Sequence, residues 1–307
     1  MIRAAIAASC AALFLVACGS EAVQVAVTSP PTAAPTPTPT PDPALGRFDV
    51  AKAMDHVRAL SVEIGQREAG SPGDLHAADY ISERFERIGW TAREQTFLLP
   101  QGGESSNVIG TPPSFDDTEP YVMVGAHRDS FRGPGANDNA SGVAVVLDIA
   151  RAVDAIAAPL PVMAVAWGAE ERQPYKGQPS RVGSRFFVSR MSQAARSNLV
   201  VYVNLDVVGH GASITCGRLD VGPRDGTARC VSEAKELGID AVEKELPDWS
   251  DHGPFQQAGL NASWVWTGDV ACCYHNPRDT IDNVRPHDLR RSAELALAIV
   301  RSYESTE

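Results

Sequence analysis

The chain predicts an α/β fold, a three-layer α/β/α sandwich around a mostly parallel mixed sheet. Apolar runs at residues 121–126, 161–167 and 199–205 read as buried strands. Helical patterns, with apolar residues three and four apart, alternate with them. The strand-like runs end in His127 and Asp129, in Glu170 and Glu171, and in Asp206. In open sheets of this kind, ligands bind beyond the carboxyl ends of the strands.

The elements follow in order. Residues 50–63 and 74–88 carry helical periodicity, and Gly89 is placed to end the second helix. Short β-like runs at 92–99 and 106–110 precede the first buried strand. A Gly/Asn/Asp-rich loop then leads into a helix over 141–153. After the second buried strand come a long loop and an amphipathic stretch at 184–191. Beyond the third strand lie helices at 227–237 and 251–258 and a strand at 262–267. Pro286 suits the first turn of a final helix reaching residue 303. No internal repeat is visible.

The first part of the 307-residue chain is not globular in character. Arg3 precedes an apolar stretch, residues 4–16, too short for a comfortable membrane span; it reads as a signal-peptide core. Leu15-Val16-Ala17-Cys18-Gly19-Ser20 resembles the bacterial lipobox, which implies that Cys18 is the lipid-modified first residue of the mature protein. The expected division is a signal at 1–17, a tether at 18–46 and a folded domain at 47–307. The tether is rich in Pro and Thr and favours extended polyproline conformations. The expected location is the bacterial cell envelope, with the domain outside the cytoplasm and the membrane reached through a lipid on Cys18.

Net charge is −11, from 27 basic and 38 acidic residues, and no basic cluster marks a nucleic-acid surface. Of six cysteines, Cys10 would leave with the signal and Cys18 would be lipidated. Cys216, Cys230, Cys272 and Cys273 remain, an even number compatible with an oxidising compartment. Cys216–Cys230 is the expected pair among three possible pairings.

Taken singly, the polar strand-end residues have plain readings: His127 solvated on a loop, Glu170 and Glu171 in a surface turn, Asp138 in a turn, Asp206 as a cap. Their joint placement after buried strands argues otherwise. Burying several carboxylates together is costly unless cations compensate them. Histidine and carboxylate donors suit zinc, and less selectively manganese or cobalt.

Five segments resemble the M28 family of zinc peptidases, in the family's order. They are Gly125-Ala126-His127-Arg128-Asp129-Ser130, Pro134-Gly135-Ala136-Asn137-Asp138-Asn139-Ala140-Ser141-Gly142, Trp167-Gly168-Ala169-Glu170-Glu171, Asn204-Leu205-Asp206 and Cys273-Tyr274-His275-Asn276-Pro277-Arg278-Asp279-Thr280. The resemblance implies a zinc-exopeptidase-like fold and two Zn2+ per chain. Asp138 would bridge the metals, with His127 and Asp206 completing one site and Glu171 and His275 the other. Glu170 would be the general base that takes a proton from the attacking water. Asp129 would orient His127, and Tyr274 would help stabilise the tetrahedral intermediate. Both Glu170 and Glu171 can serve only if the chain turns sharply after the strand.

The resemblance also extends to Trp249-Ser250-Asp251-His252-Gly253-Pro254-Phe255, which implies a substrate pocket near Asp251, His252 and Phe255. The plain alternative is a helix start capped by Ser250. The chain departs from the family pattern after Glu171, where residues 172–182 intervene before Gly183-Ser184. The implied activity is an aminopeptidase acting on the N-termini of peptides or proteins. A glutaminyl-cyclase-like acyltransferase and a non-catalytic binding domain are the alternatives on the same fold.

Overall fold

The computed structural model describes residues 48–100, 102–153, 158–171, 180–268, 273 and 275–303. The expected signal and tether, Cys18, Cys272, Tyr274 and most of the insertion after Glu171 lie outside them.

The domain opens with α1 (Val50–Arg58), capped by Asp49, whose carboxylate accepts the N–H groups of Ala51 and Lys52. The helix widens into a π-helical turn at Ala59–Ile64. Ser71 caps α2 (Pro72–Arg87), and Pro72 occupies the first turn. Gly89, at φ 81°, then releases the chain as a glycine past a helix end does.

The strands are β1 (Thr91–Leu98), β2 (Glu104–Thr111), β3 (Tyr121–His127), β4 (Val162–Trp167), β5 (Leu199–Leu205), β6 (Ile214–Arg218), β7 (Ala241–Glu245) and β8 (Ala262–Trp266). They form one sheet in the order β1-β2-β4-β3-β5-β8-β6-β7. The central strands β4, β3, β5 and β8 run parallel. β1 and β2 are antiparallel additions on one side, and β6 joins β8 antiparallel on the other.

Helices α1, α2, α3 (Ser141–Ala152), α6 (Asp225–Glu236) and α8 (Pro286–Arg301) cover one face. Their apolar stripes meet Val122, Val124, Ala164, Val201 and Val203 in one continuous core. Helices α4 (Val182–Arg190) and α7 (His252–Gln257) pack on the other face, over Met123, Val165, Trp167 and Tyr202. Strands covered on both faces are apolar throughout, which is why β3, β4 and β5 were legible as continuous runs.

Three elements were not expected from the sequence. Helix α5 (Gln193–Asn198) is a short helix capped by Ser192. β6 is buried but interrupted by Gly217, where an added Cβ would lie 3.0 Å from Trp264. β7, Ala-Val-Glu-Lys-Glu, is a charged edge strand, exposed along most of its length. The Cys216–Cys230 disulfide ties β6 to α6, as expected.

Candidate metal centre

Asp138 sits between two histidines. Its Oδ1 lies 3.1 Å from His127 Nε2 and its Oδ2 3.3 Å from His275 Nε2. Each histidine meets a second carboxylate: His127 Nε2 is 3.2 Å from Asp206 Oδ1, and His275 Nε2 is 2.9 Å from Glu171 Oε2. The cluster thus has two halves, each a histidine with its own carboxylate, joined by Asp138. The donor atoms of His127, Asp138 and Asp206 come together, as do those of Asp138, Glu171 and His275. A third grouping brings His127 to Glu170 and Glu171. The five residues expected to hold metal therefore share one place at the carboxyl ends of β3, β4 and β5.

Backbone detail explains how they converge. Ala169, Val207 and His275 are non-glycine residues in the left-handed region, at φ 54°, 55° and 53°. His275 is itself a candidate ligand, Val207 follows Asp206 and Ala169 precedes the Glu170-Glu171 pair, and each such conformation costs on the order of 1–3 kcal/mol. Ala169, at positive φ, turns the chain directly before adjacent Glu170 and Glu171, which both reach His127. Val207 redirects the chain directly after Asp206. Gly168 is required at the same turn, because a Cβ there would come within 2.3 Å of Ser106 O.

The Asp129 carboxylate was expected to orient His127, but the hydrogen-bond distance belongs to its main chain. His127 Nδ1 lies 3.1 Å from the main-chain carbonyl of Asp129, and 3.6 Å from its carboxylate. A carbonyl only accepts, so Nδ1 carries a proton and Nε2 faces Asp138 and Asp206. The Asp129 carboxylate instead accepts the N–H of Glu170 at 3.0 Å and of Glu171 at 3.1 Å.

Other supports were not read from the sequence. Asp279 accepts the N–H groups of Asn137 and Asp138, each at 2.9 Å, and so fixes the loop that carries the bridging residue. Asn139 accepts from Gly142 and Val207 and donates to Leu205 O, tying that loop to the end of β5. Ser250 does not cap α7; its hydroxyl donates to Asp206 Oδ2 at 2.5 Å and accepts from Asn204 Nδ2 at 2.7 Å. Asp279 stood inside a recognised segment, but only the folded chain shows which main-chain groups it meets.

The three pocket candidates are all fully buried. Asp251 accepts a hydrogen bond from Ser184 at 2.5 Å. His252 stacks on Trp264, with ring centroids 5.1 Å apart. Phe255 belongs to the aromatic core with Trp167, Phe187 and Tyr202 and supports the site from behind.

The metal-free electrostatics are those of a site short of positive charge. Burial, with the repulsion of Asp251, Glu171 and Asp206, raises the Glu170 carboxyl well above its ordinary range despite His127. Burial and Asp138 push Glu171 up to about 8. Against burial, which opposes its charge, the hydrogen bonds with Asp138 and Glu171 hold His275 at about 10. Asp138 moves the other way: the two histidines overcome burial and hold its carboxyl low. Glu171 Oε1 is buried and accepts no hydrogen bond among the described residues. An unsatisfied buried oxygen within a set of nitrogen and carboxylate donors fits the coordination of a divalent cation.

Residues 107–300 match the pattern of peptidase family M28. Aminopeptidase YwaD of Bacillus subtilis (strain 168) is 32% identical over 215 residues, 66% of this chain and 45% of the relative. Leupeptin-inactivating enzyme 1 of Streptomyces exfoliatus is 29% identical over an alignment of 310 residues, covering 91% of this chain and 66% of the relative. The chain thus spans about half to two thirds of the length of these curated relatives. Among solved structures, a zinc aminopeptidase from Bacillus subtilis superposes with a TM-score of 0.75 at 20% identity, covering 85% of this chain and 96% of that one. A glutaminyl cyclase from Tannerella forsythia does so with a TM-score of 0.71 at 21% identity, covering 84% and 99%. These two likenesses are of fold.

Proposed function

The chain belongs to peptidase family M28, and on that premise we propose that it is a two-zinc exopeptidase, an aminopeptidase. The observation that carries this reading is Asp138 lying between His127 and His275, each with its own second carboxylate. Such a set would hold one ion with His127, Asp138 and Asp206 and another with Asp138, Glu171 and His275. Bound zinc supplies Lewis acidity, which polarises a scissile carbonyl and acidifies water.

The chain's own residues supply the rest. Glu170 lies beside His127 and Glu171 beyond the end of β4, where its carboxylate would take a proton from water and pass it to the leaving amine. Asp129 holds Glu170 and Glu171 by their N–H groups, so base and ligand keep a common frame. Ser250 directs Asp206 through a short hydrogen bond. The excess of acidic groups over histidines attracts a free N-terminal amine. The name of the Bacillus subtilis relative, an aminopeptidase, supports the same activity.

The test is bound metal by elemental analysis, with hydrolysis of free and N-blocked amino-acid anilides, with and without chelator. Chelator-sensitive cleavage of the free-amine substrate alone is expected. Equal cleavage of the blocked substrate would overturn the aminopeptidase reading, and cyclisation of N-terminal glutamine would move the chain to the cyclase reading. We place the domain outside the cytoplasm, anchored through Cys18; the Cys216–Cys230 disulfide supports an oxidising location. Fatty-acid labelling that survives Cys18→Ser would overturn the anchor.

A further inference from the structure

Arg67 is fully buried, and among the described residues its guanidinium hydrogen bonds all end on main-chain carbonyls. Nε donates to Arg128 O at 2.7 Å, between His127 and Asp129. Nη1 donates to Pro134 O at 2.6 Å and Nη2 to Gly135 O at 2.9 Å, in the loop that leads to Asp138. Nη1 also meets Leu60 O at 2.8 Å and Gly65 O at 2.7 Å, in the turn from which Arg67 itself comes. The main chain adds two links: Arg67 N–H donates to Ser130 Oγ at 3.0 Å, and Ser130 N–H donates to Arg67 O at 3.2 Å. The Ser130 hydroxyl continues to Gly133 O at 2.9 Å.

A buried cation is costly and usually sits on a carboxylate. Here the fields of Asp129, Asp279, Asp138 and Asp74 favour the charge, yet none of the four accepts a hydrogen bond from the guanidinium. The planar fork is instead spent on backbone carbonyls, those of its own turn and those of two segments that each carry a candidate ligand. A rigid fork can hold several acceptors in fixed directions, which a lysine ammonium cannot. The packing is close: a Cβ on Gly135 would lie 2.4 Å from Asp138 O, 2.5 Å from Ser130 Cβ and 3.2 Å from Arg67 Nη2. Arg67 also precedes residues 107–300, so the family pattern assigns it nothing.

We propose that Arg67 is a positioning residue for the metal centre: it fastens the exit of β3, bearing His127, to the loop bearing Asp138, and so sets the separation at which both can hold one ion. It acts through the backbone and touches no reacting group. The assignment rests on the metal-centre reading above.

The test compares zinc affinity of the full chain and of Arg67→Lys by competition with a chelator, alongside the visible spectrum of the cobalt-loaded proteins. Arg67→Lys is expected to bind zinc about 10–100-fold more weakly, with an altered cobalt spectrum and an unchanged circular dichroism spectrum. Unchanged affinity and spectrum in the folded variant would overturn the assignment. If Arg67→Lys does not fold, Arg67→Gln decides, since it keeps a planar donor group but removes the charge and most of the fork. Weakened zinc binding there supports the role, and unchanged binding overturns it. An unmodified chain that binds no zinc would overturn the metal-centre reading itself, an outcome distinct from zinc bound equally by both proteins.

Discussion

Asp129, at the exit of β3, holds Glu170, beyond the end of β4: its carboxylate accepts the Glu170 main-chain N–H at 3.0 Å. Its second oxygen holds Glu171 in the same way at 3.1 Å. One carboxylate thus sets the direction of both glutamates. Asp129→Asn keeps the shape but turns one acceptor into a donor facing an N–H. A buried N–H left without an acceptor costs about 1–3 kcal/mol. The expected result is a roughly 10–100-fold loss of kcat/KM with the fold intact, read from steady-state kinetics and circular dichroism.

Glu170→Gln and Asp138→Ala separate proton transfer from metal retention. Glutamine keeps the volume of Glu170 but cannot take a proton, so kcat should fall by about 10²–10⁴ while metal content stays at the unmodified level. Asp138→Ala removes the oxygens facing both histidines and should lose metal. Elemental analysis beside kinetics reads both. Full activity in Glu170→Gln would end the assignment of Glu170 as base.

Asp279 accepts the N–H of Asp138 and of Asn137 and so acts on the metal centre through the loop that carries Asp138. Asp279→Asn should weaken zinc binding by about 10–100-fold while leaving Glu170 in place. Chelator competition measures the affinity. Kinetics at saturating zinc should then recover most of kcat.

In the metal-free protein, stability should fall as pH rises from about 7 to 9. Burial and Asp138 raise Glu171 to about 8, whereas Asp251, raised by burial to about 7, has lost most of its contribution where this window begins. The carboxylate hydrogen bonds hold His275 at about 10 against burial. Each binds its proton more tightly in the folded chain than in the unfolded one, so its contribution is lost as pH climbs through the folded value. His56 and His252, which burial lowers to about 4 and about 3, act in the opposite sense only below their unfolded pKa of roughly 6.5. Thermal melts of chelated protein at pH 7 and 9 test the sign. Zinc should abolish or reverse the trend, because a cation stabilises the ionised carboxylates.

The disulfide offers a stability test away from the site. Cys216 and Cys230 are 14 residues apart, and a loop of that order is worth about 3 kcal/mol. The double Cys→Ala variant should melt lower while metal affinity stays unchanged.

Much of this protein could be read along the chain. Continuous apolar runs announced β3, β4 and β5, because strands covered on both faces need no polar alternation. The positions of His127, Glu171 and Asp206 then followed from the rule that parallel strands present ligands at their carboxyl ends. β7 was not legible, since an exposed edge strand carries the charges of a loop. Phe255 was placed in the pocket by its neighbours in sequence, but its ring belongs with Trp167 and Tyr202 in the core.

Residue types and their order by themselves determined the fold class and the set of groups brought to one sheet edge. Only the tertiary structure decided what holds those groups in register: Asp129 on the glutamate turn, Asp279 on the Asp138 loop, Ser250 on Asp206 and Arg67 across two segments. The reason is physical. Burial patterns are periodic and local, so a linear reading finds them. A hydrogen bond from a side chain to a carbonyl 67 residues away, as between Arg67 and Pro134, leaves no periodic mark.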